Sequence, residues 1–235
     1  FISTPGLAQI ESRNGFFQYK EVFVETDNFQ ADYLENLEKA LVDIPKRTSL
    51  RLQVLNDLGY YSHTRNLNLA LEYIELGLQE AREKEDSYWE GRLMVSQGAI
   101  LLRMEELQLA EYVLKEAILK IPESETWLLY TNLGYVYERK GQLGEAFVYA
   151  SKTLEIGEKY GDSKAIAMAY SDMSNLFWKQ GKFDAALNYG LKSLELFEKR
   201  GLKDLDYDFT LHLVGQFLVE LERPKQALEY FQQSV

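Results

Sequence analysis

The chain has 235 residues, a formal charge of −11 from 26 basic and 37 acidic side chains, and no cysteine. The missing thiols exclude disulfides, thiolate zinc sites and a cysteine nucleophile, and the acidic balance argues against nucleic acid, whose phosphates call for clustered Lys and Arg. Hydrophobic side chains make up 46% of the sequence, enough for a core, but nowhere do about 18 apolar residues run together to span a membrane.

The chain opens Phe1-Ile2-Ser3-Thr4-Pro5-Gly6-Leu7-Ala8-Gln9. Gly6 and Ala8 stand where a signal peptidase cutting before Gln9 requires small residues, and Phe1-Ile2 suits the end of an apolar core. That reading expects residues 1–27 to be a signal-peptide remnant and the protein to be periplasmic or otherwise exported. The alternative is an N-terminal extension of a cytoplasmic protein. Over residues 10–27, Phe16-Phe17, Tyr19 and Val22-Phe23-Val24 supply apolar mass for either a short helix or a packed extended segment.

From Asn28 the pattern is helical. Phe29, Tyr33, Leu34, Leu37, Ala40, Leu41 and Ile44 form a stripe that Pro45 ends. It matches the second helix of the repeats that follow, and so reads as a half-repeat capping an array. Those repeats are marked by a small residue inside an apolar-periodic helix. Gly59, Gly98, Gly134, Ser174 and Gly215 lie 39, 36, 40 and 41 residues apart, and each is followed 11 or 12 residues later by Ala70, Ala110, Ala146, Ala186 or Ala227. Glycine inside a helix costs about 1 kcal/mol against alanine, so its recurrence points to close helix packing. The expectation at Gly134 is that it and Ala146 meet where two helix axes come closest, with Leu133, Tyr137 and Tyr149 around them and Leu154 facing the next repeat.

The repeats run over about 49–85, 86–122, 123–160 and 161–200, with a fifth to the end. Short turns such as Gly141-Gln142-Leu143 and Gly181-Lys182-Phe183 favour antiparallel pairs. Residues 28–235 are therefore expected to form one all-α array, and the stop at Val235 inside a helix suggests a fragment truncated at its C-terminal end.

The runs Leu133-Gly134-x-x-Tyr137-x-x-x-Gly141-x-x-x-x-Ala146 and Met173-Ser174-x-x-Phe177-x-x-x-Gly181-x-x-x-x-Ala186 resemble the tetratricopeptide repeat. The resemblance implies a right-handed superhelical solenoid of antiparallel helix pairs, about five repeats plus the N-terminal half-repeat. It is clearest in repeats three and four. Repeat one has a hairpin one residue shorter, and in repeat five Glu222-Arg223-Pro224 replaces the turn glycine.

Catalytic constellations are not evident. His63 and His212 lie about four repeats apart, and no phosphate-cradling loop, zinc spacing or nucleophile elbow occurs. The carboxylate pairs Glu72/Glu75, Glu80/Glu83 and Glu195/Glu198 fall on helix faces read as solvated. The expectation is a non-enzymatic protein without cofactor or metal.

The family resemblance implies that the first helix of each repeat lines a concave groove for a protein or peptide ligand. Carried onto this chain, the groove holds Gln53, Asn56, Tyr60 and His63, then Arg92, Val95, Ala99 and Arg103. Repeat three adds Thr131, Tyr135, Glu138 and Arg139; repeat four adds Met168, Ser171, Asp172, Asn175, Trp178 and Lys179; repeat five adds Phe209, His212 and Gln216. Amides and hydroxyls can bond a peptide backbone, Tyr and Trp offer rigid contact area, and Arg can pair with a carboxylate. Some of these aromatics can equally serve as packing between helices. The carboxylate clamp of chaperone-binding members is not expected, because of its positions only Asn132 fits and Asp172 would repel the ligand.

The helix at 28–44, the short repeat with Leu55-Asn56-Asp57-Leu58, and the long repeats ending in Glu-Lys-x-Gly resemble the sensor regions of Bacteroidetes-type regulators. There an exported array precedes a membrane helix and an output, either a histidine kinase or a DNA-binding module. That resemblance implies a ligand-sensing module, possible as a homodimer; the alternative is an assembly scaffold unconnected with signalling.

Overall fold

The structure is a computed structural model that describes residues 11–13, 16–18, 31–201 and 205–234. Glu11–Arg13 (β1) and Phe16–Gln18 (β2) pair antiparallel with Ser12 opposite Phe17. Of the two conformations left open for residues 10–27, these six described residues adopt the extended one. The expected cleavage site before Gln9, Val22–Val24 and Phe29 lie outside the described residues.

The remaining described elements are helical: α1 (Ala31–Asp43), α2 (Ser49–Ser62), α3 (Leu67–Glu83), α4 (Ser87–Arg103), α5 (Leu107–Ala117), a 3-10 turn (Glu123–Glu125), α6 (Thr126–Arg139), α7 (Leu143–Tyr160), α8 (Ser163–Lys179), α9 (Phe183–Arg200), α10 (Leu205–Glu220) and α11 (Pro224–Gln233). They form the expected all-α solenoid of helix pairs, α1 being the half-repeat and α2/α3 through α10/α11 the five repeats. The 36-residue spacing has a plain cause: α5 has 11 residues where α7 and α9 have 18.

Local sequence explains the boundaries. Thr48, Asn66, Asp86 and Asp162 cap α2, α3, α4 and α8, each side chain accepting a bond from a first-turn N–H. The turns of repeats two to five use a left-handed residue, which Gly141 and Gly181 supply at φ 75° and 72°; in repeats two and five Glu105 and Glu222 take the same conformation at 62° and 58°. Losing the turn glycine therefore leaves the turn intact but strained, since a side chain there costs about 1–2 kcal/mol.

The chain divides into two compact units, Phe1–Ile121 and Pro122–Val235. Within each, first helices of neighbouring repeats pack on one another, α2 on α4 in the first unit and α6 on α8 on α10 in the second, whereas second helices pack mainly on first helices. First helices thus line the tighter side of each unit's curve. Repeats three and four copy each other in detail. Tyr130 and Tyr149 lie 6.1 Å apart with Lys152 over both rings, and forty residues on Tyr170 and Tyr189 lie 5.8 Å apart with Lys192 over both.

The hairpins close as knob into hole. A Cβ added at Gly59 would come within 2.5 Å of Ile74 Cγ1, at Gly98 within 2.5 Å of Leu114 Cγ, and at Gly215 within 2.7 Å of Phe231 Cδ1. Each knob stands four residues after the repeat's alanine. Repeat three corrects the expectation drawn from Gly134. Its knob position holds Ala150, and a Cβ at Gly134 would meet only Ala146 O at 3.7 Å and Tyr149 Cβ at 3.8 Å, ordinary contacts. Tyr137 stacks on Tyr149 at 5.3 Å and Leu154 packs towards Met173 and Leu176, as expected.

Glu80 is a second correction. It is 3% exposed, not solvated, and its Oε1 accepts from Arg51 Nε at 2.8 Å while the backbone N–H of Arg47 reaches Oε2 at 2.8 Å. The Arg51 guanidinium also donates to Leu41 O and Ile44 O, the free carbonyls ending α1. The pair thus ties half-repeat, first helix and second helix together.

Two stability measurements follow. Glu80→Gln strands a buried guanidinium, and urea unfolding should show a loss of about 3 kcal/mol. Gly98→Ala should destabilise by about 1–3 kcal/mol through overpacking, while Gly134→Ala, which has room, should stabilise by about 1 kcal/mol.

Candidate functional site

The groove positions read from the sequence fall into two kinds. Several are tied into the wall itself. Asn56 is buried and accepts from Ser96 Oγ at 2.7 Å, joining α2 to α4. Thr131 is 2% exposed and faces Thr153 of α7, hydroxyl to hydroxyl at 3.4 Å. Ser171 is buried with its hydroxyl 2.9 Å from that of Thr210, joining α8 to α10. Trp178 is half-buried against Ala186, Leu213 and Phe217. Asn132, too, turns inward and donates to Leu128 O at 3.0 Å.

Others are open to solvent. Tyr60 and Arg103 are exposed on α2 and α4, with Arg92 half-buried; Arg139, Lys179 and His212 are exposed on α6, α8 and α10. His212 Nε2 lies 3.2 Å from the Gln216 amide nitrogen, and its ring sits 5.3 Å from that of Phe231.

Between these two kinds runs a polar row on α6 and α8. The Tyr135 hydroxyl donates to Asp172 Oδ1 at 2.8 Å, the Asn175 amide donates to Glu138 Oε2 at 3.2 Å, and Lys179 Nζ pairs with Glu138 Oε1 at 3.2 Å. Sequence reasoning placed all five in the groove but missed that they join one another. Burial pushes the Asp172 carboxyl well above the usual carboxylate range; Glu138 and Asp206 add to the rise, and the Tyr135 hydroxyl opposes it. Burial likewise raises the Tyr135 hydroxyl well above its ordinary value, helped by Asp172.

The family model for the tetratricopeptide repeat matches residues 125–199, which are repeats three and four. Over the described residues the fold is a helix-pair solenoid of a tetratricopeptide-like kind. No curated protein matches the sequence. Among solved structures the chain is similar to BtubC (BKLC) from P. vanneervenii, at 15% identity and TM-score 0.63, over 86% of this chain and 85% of that one. It is also similar to NprR in complex with its cognate peptide NprX, at 20% identity and TM-score 0.68, over 86% of this chain and 59% of that one. The apo form of the quorum sensor NprR from B. thuringiensis gives 20% identity and TM-score 0.61 over 86% and 57%. At these identities the likeness is one of fold.

Among the described residues no cluster of three His, Asp or Glu is placed to hold a metal ion, and no helix is long and apolar enough to cross a membrane. What the wall offers is hydrogen bonding, charge and aromatic surface.

In the first unit His63 bonds Tyr60 O through Nδ1 and lies 5.2 Å from the Tyr60 ring. Burial, and then the Arg103 guanidinium, lower its pKa from 6.5 to about 4. The unfolded chain therefore takes up the proton first as pH falls. This stabilising contribution is complete above about 6.5 and is lost towards about 4. Urea midpoints should fall across that window, and His63→Gln should flatten the part of the slope due to this ring.

Proposed function

We propose that this chain is the sensing region of a bacterial signal-transduction regulator, exported to the periplasm, and that it binds a peptide or protein segment along its first-helix wall. The observation that carries the reading is the division of labour on that wall. A buried set of side chains holds the first helices together, while Arg139 and Lys179 in one unit, and Tyr60 and Arg103 in the other, remain exposed in the last turns of the same helices, with His212 exposed midway along α10. A wall braced in this way offers fixed polar groups to a ligand without first having to order them, which lowers the cost of binding.

The likeness in fold to NprR, whose structure is that of a complex with its cognate peptide, supports the peptide-binding reading. The signalling assignment is supported by the arrangement of half-repeat, short first repeat and long later repeats. It expects the gene to encode a membrane helix followed by a histidine kinase or a DNA-binding output.

Panning a displayed library of short peptides against the full chain, then photo-crosslinking the recovered peptides, tests the binding surface. Crosslinks should fall on the first helices, and Arg139→Ala and His212→Ala should each weaken binding by about 1 kcal/mol. Crosslinks confined to second-helix residues such as Tyr112 or Leu228 would overturn the assignment of the surface. A reading frame that lacks both membrane helix and output would overturn the signalling role.

A further inference from the structure

Repeat three differs from repeats one, two and five in having no knob. With Ala150 where they carry Ile74, Leu114 and Phe231, the space beside Gly134 stays open. It forms a cavity of about 10 Å³ lined by Gly134, Ala146, Ala150 and Leu176 on its apolar side and by Tyr135, Glu138 and Asp172 on its polar side. That is room for about one water-sized group, and an ammonium head is such a group.

The polar side carries an imbalance. Glu138, Asp172 and Asp206 stand on the three successive first helices α6, α8 and α10 and act on one another electrostatically. Glu138 pairs with Lys179 at 3.2 Å and Asp206 with Lys164 at 3.3 Å. Asp172, between them, pairs with no cation among the described residues. It is 8% exposed, its Oδ1 takes the Tyr135 hydroxyl, and its Oδ2 receives no hydrogen bond from the described residues. The Oδ2 atom keeps an edge open to solvent, so a cationic group arriving from outside can reach a carboxyl otherwise flanked by like charges.

We propose that Asp172, at the cavity between Tyr135 and Glu138, receives a primary ammonium group from the bound segment, either a lysine side chain or a free N-terminus. This deepens the peptide-binding reading and rests on it. Below its raised midpoint the unliganded carboxyl holds its proton, because burial and the flanking Glu138 and Asp206 carboxylates disfavour its charge, against the pull of Tyr135; Lys179 and Lys164 are engaged with those neighbours. When the ammonium arrives, the carboxyl O–H bond breaks, the proton leaves to solvent, and the ammonium N–H donates to the carboxylate. One proton is released for each ligand bound.

The test uses peptides recovered by panning on the full chain. They should carry a lysine or an unblocked N-terminus, and their affinity by calorimetry should rise about tenfold per pH unit below the Asp172 midpoint. N-terminal acetylation and, separately, replacement of lysine by norleucine show which amine is used; the one that matters should cost at least about tenfold. Asp172→Asn, which keeps the side-chain shape, should remove both the amine requirement and the pH slope while circular dichroism shows the fold retained. Gly134→Ala puts a methyl into the cavity, leaves every charge in place, and should cause the same loss. Peptides that bind without an amine, or that bind Asp172→Asn with the same affinity and slope, would overturn this inference and leave the peptide-binding reading standing. A library that yields no binder at all removes that reading and this one with it.

Discussion

Each repeat depends on how closely its two helices can approach, and that is decided by a pair of positions rather than by one glycine. Where the second helix presents Ile74, Leu114 or Phe231, the first helix answers with Gly59, Gly98 or Gly215. In repeat four the knob register holds Gly190 and the first helix carries Ser174 instead, fully buried with its hydroxyl bonded to Ser171 O at 2.6 Å. Bulk on one side is traded for bulk on the other, which is how interiors keep near-crystalline density. Repeat three is small on both sides, with Gly134 and Ala150, and so leaves a gap.

Stacking of repeat on repeat adds polar ties to the apolar contacts between neighbours. Asn56 to Ser96, Tyr135 to Asp172 and Ser171 to Thr210 each join first helices of adjacent repeats. Apolar contact alone tolerates sliding, whereas a buried polar group that loses its partner is penalised. These ties therefore specify the offset between first helices on the side of the curve where a ligand would lie. Arg51 and Glu80 do comparable work at the N-terminal end, where the guanidinium also terminates α1.

The repeat boundaries were legible because they rest on local signals: the recurring small residue, the alanine that follows, and the glycine or proline at the turns. The half-repeat was legible for the same reason. The buried state of Glu80 was not, since its partner Arg51 lies 29 positions away and nothing in the local pattern joins them. Groove positions could be placed on their helix face, but not sorted into tied and exposed. Thr131 and Arg139 read alike in sequence, and only the presence of Thr153 across the hairpin separates them. The gap in repeat three was in plain view. Comparing the residue four places after each alanine isolates Ala150, provided that knob and hole are read together.

That same gap sets how the second unit responds to compression. Hydrostatic pressure favours whichever state occupies less volume, and unfolding eliminates internal voids. A hairpin packed solid, such as Gly215 against Phe231, gains little by opening. The hairpin of α6 and α7 is packed less closely and gains more. Pressure, unlike heat or urea, therefore acts on this hairpin of the second unit before that of α10 and α11, and would loosen first the helix that carries Tyr135 and Glu138.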